Sequence, residues 1–378
     1  MRVLLLTDSD AFAGTEQHLI TLAVALRDAG QEVYVGSPEA SPLSVRCALV
    51  GISTVSINKR GTIDIAAAVL CVRHIRRERI DILHVHNART ALIASLVKVF
   101  IPRIKVVFTQ HFIAPSHSSR KGLQRGLSDL VHKFIASGID HIVCVSNATR
   151  LALLGRQGPY ACIPSCVIYN GIDFDYSVQQ RDTDFTGIHA ELNIPIDVRI
   201  VLVASRLEPE KAVDVAIRAF ADLLTDHPDT VLLIAGQGSQ LSNLQQITQD
   251  MDVGDSVYFI GFRSDIRLLM SLADVFVFTS PVDSFGLTIL EAMSMGTPVI
   301  AANAGGPTEI INDGETGFLF SSGDVVDLKR KLDFCLSNNE MVHVIEHATR
   351  HVSLEFSTSR MSENTIGVYE SVNKRVCQ

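Results

Sequence analysis

Residues 274–310 read "DVFVFTSPVDSFGLTILEAMSMGTPVIAANAGGPTEI". The stretch opens on an apolar run (274–279) that ends in a polar loop, and it continues as a helix with Leu287, Leu290 and Met293 on one face. Ser284 is suited to the N-cap, and Gly286 lets a ligand approach the backbone. Two acids stand eight positions apart, Asp283 in the loop and Glu291 in the helix. Glu291 lies five residues past Gly286, or about 1.4 helical turns. After the next apolar run (297–302), "AGGPTE" (304–309) repeats the pattern, with Gly305 and Gly306 ahead of a proline and Glu309. Carboxylates accept hydrogen bonds from hydroxyls, and the free N–H groups of a helix start hold an anion. Two acids around a glycine-bounded helix start therefore suit a polyol–diphosphate–polyol, which is the chemistry of a sugar nucleotide.

The same strand–loop–helix rhythm runs outward in both directions. Buried parallel strands are predicted at 3–7, 32–36, 81–86, 105–110, 141–146 and 166–170, with helices such as 14–30 and 64–79 between them. A second series follows at 199–205, 230–236, 257–261, 274–279 and 297–302. Two series mean an α/β protein of two doubly wound, Rossmann-like domains. Their join lies near 169–185, which is polar, Asp-rich and without period. We set an N-terminal domain at 1–175, joined by a final amphipathic helix at about 356–378, and a C-terminal domain at 176–355.

Bulk properties narrow the class. The chain has 378 residues, 47% of them hydrophobic and 20% charged, which is enough for two cores. Its seven cysteines are odd in number and scattered, without Cys-x-x-Cys, which argues for a reducing compartment and against disulfides or a zinc site. No signal peptide is visible, and "ALIASLVKVFI" is too short and charged to span a bilayer. A cytoplasmic protein is expected, at most peripheral on the inner face of the cytoplasmic membrane. The net charge of −8 is split: residues 1–170 carry 19 Lys and Arg against 11 Asp and Glu. The basic half, with "RHIRRER" (73–79), Arg103, Lys105, Arg120, Lys121, Arg125 and Lys133, suits an anionic membrane surface or an anionic acceptor, or is an ordinary solvated face. No nucleic-acid partner is expected.

Three further loops carry chemistry. Gly14, in "TDSDAFAGTEQ" (7–17), begins a helix whose start favours an anion, though an ordinary turn has the same look. His111 follows the strand at 105–110, and His84 and His86 end the strand at 81–86. At least one of that pair is expected to be packed. In "ASRLEPEKAVD" (204–214), Arg206 ends a strand and Lys211 begins a helix, a pair that suits a diphosphate or is simply surface charge.

With these stretches in hand, the chain resembles the retaining glycosyltransferases of family 4, which have the two-domain GT-B fold. The resemblance runs nearly end to end. It rests on "SRLEPEK", "LLIAGQGSQ", "YFIGFRSDI", "DVFVFTSPVDSFGLTILEAM", "GTPVIAANAGGPTEI" and "DGETGFLF", and in the first half on "AGTEQHL", "FTQH", "VSNATR" and "VIYNGID". It implies two domains facing a central cleft. It implies that Glu291 holds the donor ribose and that Arg206 and Lys211 hold the diphosphate, helped by backbone N–H groups of Gly14 and of Phe285, Gly286 and Leu287, beside Ser284. His111 and Asp283 are then at the transferred sugar, and Gly236, Gly238, Phe262 and Arg263 flank the base.

Two departures stand out. Asp283 occupies a position where the family usually has Glu, and Ala13 precedes Gly14 where many members have Gly-Gly. The first bears on donor preference. The reaction implied is transfer of a sugar from a nucleoside diphosphate sugar, a UDP-sugar by family habit, to an acceptor hydroxyl with retained configuration. The setting is glycolipid, lipopolysaccharide or polysaccharide synthesis, with a glycan or lipid-linked acceptor read by loops at 37–62 and 112–128. His111, Asp283, Arg206 and Lys211 are the implied catalytic set, with no cofactor and no metal. The alternatives are a non-catalytic sugar-nucleotide-binding protein of the same fold, or a GT-B phosphorylase or epimerase.

Overall fold

The computed structural model describes residues 1–57, 64–113, 123–155, 158–173, 185–338 and 341–374. Most of the expected join (174–184), parts of the two acceptor loops, Arg120, Lys121, the Arg125 side chain and Cys377 lie outside what is described. The chain divides into two compact units, Met1–Gly171 with Thr358–Gln378, and Ile172–Ser357.

The first unit holds, among the described residues, seven parallel strands in the order β3-β2-β1-β4-β5-β6-β7. They are β1 Arg2–Leu6, β2 Glu32–Ser37, β3 Ser53–Ser56, β4 Ile82–Val85, β5 Lys105–Gln110, β6 His141–Cys144 and β7 Ser165–Val167. Successive side chains alternate faces. Leu4, Leu6, Leu83, Val85, Val106 and Phe108 enter one core with the helix Ile65–Glu78. Val3, Leu5, Val35, Ile82, Val107 and Val143 enter another, covered by the helices Gly14–Asp28 and Thr358–Lys374. The last helix thus belongs to this unit and plants Met361, Val368, Tyr369 and Val372 in its core.

The second unit holds six described parallel strands in the order β10-β9-β8-β11-β12-β13. They are β8 Arg199–Ala204, β9 Thr230–Ala235, β10 Val257–Gly261, β11 Val275–Phe278, β12 Val299–Ala302 and β13 Phe318–Phe320. Val201, Val203, Leu232, Ile234, Val275 and Val277 form a core with the helices Val213–Leu223 and Val325–Ser337. Two strands escape the sequence pattern. β3 is a mostly exposed edge strand of sequence STVS, so it lacks the apolar run. β13 has only three residues, too few to show a period.

Tyr369 is fully buried, and its hydroxyl meets His84 Nδ1 at 2.6 Å. Tyr369→Ala is expected to cost about 3–5 kcal/mol by leaving a cavity in the first unit. Tyr369→Phe should cost about 1–3 kcal/mol by orphaning a ring nitrogen. Denaturant unfolding of the two variants checks the order.

Candidate functional site

In each sheet the winding reverses at one point. β9 and β10 lie to one side of β8, and β11, β12 and β13 lie to the other. Open α/β sheets take ligands outside the carboxyl ends of the strands at this switch. In the second unit those ends belong to β8 and β11, where Ser205, Lys211, Phe278, Thr279 and Ser280 line a small cavity.

Side chains stitch the two loops together. Thr279 Oγ1 donates to the Lys211 carbonyl at 2.7 Å, and Ser280 Oγ donates to that of Glu210 at 3.1 Å. Lys211 Nζ then donates to Asp283 Oδ2 at 2.6 Å, both side chains being 17% exposed. Asp283 Oδ1 accepts the Phe285 N–H at 3.0 Å, and its carbonyl accepts the Gly306 N–H at 3.0 Å. One acid thereby ties together the loops after β8, β11 and β12. The sequence assigns Lys211 to a diphosphate and Asp283 to a sugar; the structure makes them an ion pair. Arg206 turns elsewhere, pairing with Glu210 at 2.9 Å on the surface, so the two expected cations point to different carboxylates.

The helix Leu287–Ser294 is capped by Gly286 and not by Ser284. Gly286 has φ +100, a conformation that needs a residue without Cβ. The Asp283 carboxylate accepts the Phe285 N–H, and the helix begins only after Gly286. Phe285 is buried under the loop. One turn into the helix, Glu291 Oε1 accepts from Arg267 Nη2 and Nε at 3.2 and 3.4 Å. Burial pushes the Glu291 carboxyl above its ordinary range, and Arg267 pulls it back. Sequence reasoning missed Arg267, whose signal is a lone cation in the otherwise nearly apolar helix Ile266–Leu272.

The expected base-flanking residues lie at the ends of β9 and β10. A Cβ on Gly236 or Gly238 would stand 1.8 Å from the Ser205 carbonyl oxygen or 2.3 Å from that of Leu207, so these glycines let two loop backbones touch. Phe262 is 71% exposed. Arg263 is held by Glu191 and by Asp265, the latter at 2.7 Å, and the two carboxylates raise its pKa. Its guanidinium is committed to a fork within the protein.

In the first unit the switch lies between β1 and β4. Gly14 is the first residue of its helix, and Glu16 Oε2 already accepts the N–H of the cap residue Ala13 at 3.0 Å. This buried acid was not singled out in the sequence; His18 lies one turn along from Gly14. Four imidazoles meet here, all buried: His18, His84, His86 and His111. His84 stacks on His86 at 4.5 Å, and His111 Nε2 lies 3.1 Å from His86 Nδ1. His84 is the packed member expected of its pair, bonded by Tyr369 and by Thr109 at 2.7 Å. Burial lowers all four, His18 to about 4, His84 to about 3, and His86 and His111 well below the ordinary value. Ligand atoms of His18, His86 and His111 lie within 4.8 Å of one another.

Comparison with known proteins agrees with this architecture. Residues 12–176 match the family described as "Glycosyltransferase Family 4", and residues 184–352 match "Glycosyl transferases group 1". The chain is 30% identical to the N-acetyl-alpha-D-glucosaminyl L-malate synthase of Bacillus anthracis, over 82% of this chain and 78% of that one. It is 26% identical to an Escherichia coli UDP-Gal:alpha-D-GlcNAc-diphosphoundecaprenol alpha-1,3-galactosyltransferase, over 69% and 68%. Several other curated relatives match over 44 to 55% of their own length. The Anabaena protein HepE in complex with UDP superposes with a TM-score of 0.83 at 23% identity, over 98% of this chain and all of that one, which shows the GT-B fold.

Gly306 tests the stitched loops. An added Cβ would stand 2.3 Å from Phe285 Cα and 2.5 Å from its nitrogen. Gly306→Ala is expected to displace the Asp283–Phe285 turn at a cost of at least ~2 kcal/mol, read as a lowered unfolding midpoint with secondary structure retained.

Proposed function

Because the chain belongs to the family 4 glycosyltransferases, we propose that it is a retaining enzyme that moves a sugar from a UDP-sugar to an acceptor hydroxyl in glycan or glycolipid synthesis. The observation that carries this is the Lys211–Asp283 pair at the sheet's switch point, directly ahead of the helix Leu287–Ser294. A diphosphate there takes over Lys211 and gains the free N–H groups of the helix start. Asp283, released from Lys211, then accepts from a hydroxyl of the transferred sugar. Arg206 swings from Glu210 to the outer phosphate. Glu291 accepts from the ribose hydroxyls, with Arg267 holding its carboxyl in place. Phe262 offers an exposed ring face to the base. His111 is assigned to the transferred sugar, as the family resemblance implies.

The reaction breaks the bond between the sugar's anomeric carbon and the diphosphate oxygen, and a new bond forms to the acceptor oxygen on the same face. The acceptor proton passes to the departing diphosphate oxygen. Lys211, Arg206 and the helix N–H groups stabilise the charge that grows there. The choice of a uridine donor draws on two relatives: HepE was crystallised with UDP and with UDP-glucose, and the E. coli enzyme's name specifies UDP-galactose. That same name specifies a lipid-linked acceptor, which suits a glycan or lipid-linked acceptor here.

No described helix is long and apolar enough to cross a membrane. The first unit instead exposes Phe100, Val99, Leu130 and Phe134 in a half rich in Lys and Arg. Peripheral docking on anionic lipid follows from that combination.

Calorimetry with UDP, GDP, ADP and CDP, each with and without magnesium, should single out UDP and show no dependence on the metal. Failure of all four nucleotides to bind would overturn the proposal. Glu291→Ala should weaken UDP binding by roughly 10- to 100-fold, as expected for losing hydrogen bonds to a charged group. Lys211→Ala should lower turnover by on the order of 10²-fold or more; a wild-type rate would remove Lys211 from the site. Sedimentation with anionic vesicles should occur at low salt and fade as salt is raised.

A further inference from the structure

The four buried imidazoles of the first unit do not stand alike. His84 has both ring nitrogens bonded, to Tyr369 and to Thr109. His86 has one bonded nitrogen, Nδ1, facing His111 Nε2 at 3.1 Å; its Nε2 is buried and has no partner among the described residues. A neutral imidazole carries one N–H and one lone pair. The His86–His111 contact therefore holds a single proton, and where it sits decides what His111 shows to its other side.

Suppose His111 supplied that proton from Nε2. His86 would then accept at Nδ1 and carry its own proton on Nε2. That N–H would be a second one buried without an acceptor in this cluster, beside the ring of His18, unpartnered among the described residues, and each such donor costs the desolvation of an N–H. The nearest ring offers no relief, because His84 lies stacked on His86 at 28° and presents its face to the ring and not to an in-plane N–H. The opposite assignment avoids this. His86 donates from Nδ1, its Nε2 is a bare lone pair, His111 Nε2 accepts, and the His111 proton sits on Nδ1.

We infer that His86 is a positioning residue that holds His111 as the Nδ1–H tautomer, making it a hydrogen-bond donor to a ligand oxygen and not a base. His18 keeps the ring in place edge-on, at 4.8 Å and 71°. A metal ion is the rival occupant of His18, His86 and His111. These three ligands bring no carboxylate to offset a dication in a buried place, and two of their nitrogens already share a proton. The consequence for transfer rests on the proposal that His111 serves the sugar; the tautomer itself does not.

The test is long-range ¹H–¹⁵N correlation NMR of the whole chain, with His111 assigned by its substitution. A protonated Nδ1 and bare Nε2 on His111 are expected. Asn at position 86 places an amide N–H where Nδ1 was; Leu places none. His86→Asn should keep the tautomer and a kcat within about threefold, whereas His86→Leu should lose the tautomer and about tenfold or more in kcat, with the donor KM little changed. A proton on His111 Nε2 would overturn the inference, as would unchanged kcat in His86→Leu. So would cobalt absorption bands in the wild type that vanish in His18→Ala. Because the tautomer is read without turnover, it stands or falls separately from the transferase proposal.

Discussion

Parallel strands that hydrogen-bond side by side must each be returned across the sheet by a crossover, so every carboxyl end in a unit lies along one edge. Both faces of each sheet are buried under helices, and the strands are accordingly filled with Val, Ile and Leu. Polar side chains gather where the strands stop, and those inside a strand, such as His84 and Thr109, are buried and bonded to each other. His86 and His111 follow β4 and β5, Ser205 follows β8, and Thr279 follows β11. The reversal of winding between β1 and β4, and again between β8 and β11, parts the loops and leaves space between them. The location of the chemistry thus follows from backbone hydrogen bonding before any side chain is chosen.

At the second of these places the pairing of charges sets how ligand binding proceeds. Lys211 and Asp283 are both largely shielded, so water screens their attraction poorly. Arg206 and Glu210 are 64% and 49% exposed, an i,i+4 surface pair worth about 0–1 kcal/mol. Arg206 is thus recruited at little cost, whereas Lys211 leaves Asp283 only for a partner that competes with a carboxylate. A diphosphate does so with more charge and more oxygens. On the proposed transferase reading, the same exchange would free Asp283 for a sugar hydroxyl as the phosphate is loaded.

Much of this was legible in the sequence because buried parallel strands are nearly continuous apolar runs and the loaded loops follow them. Eleven of the described strands carry that signal; β3 does not, being polar and exposed, nor does three-residue β13. Lys211 and Asp283 were legible as charges in the loops after strands and Glu291 as an acid in the helix that follows, but not the pairing of Lys211 with Asp283, because an ion pair between residues 72 positions apart leaves no periodic trace. Arg267 showed only as a lone cation in an apolar helix, with nothing to point to Glu291. Ser284 is not the cap because the left-handed backbone of Gly286 puts the helix start two residues later than side-chain preference alone suggests. Glu16 sits inside an amphipathic helix, where a polar residue at a buried position looks like one on the solvent face until the sheet is in place.

The two units meet the cost of buried polarity in opposite ways. In the second, each acid of the opening motif is given a cation, Lys211 for Asp283 and Arg267 for Glu291. In the first, the cluster beyond β4 and β5 has no charge to pair. Its imidazoles are desolvated, and each would repel a charge on the next, so burial and mutual proximity both hold them neutral. Ordinary histidine changes charge near pH 6.5; this cluster does not, and its hydrogen bonds keep one pattern across the physiological range. The rings instead fix one another's orientation, through the His84–His86 stack and the His86–His111 contact.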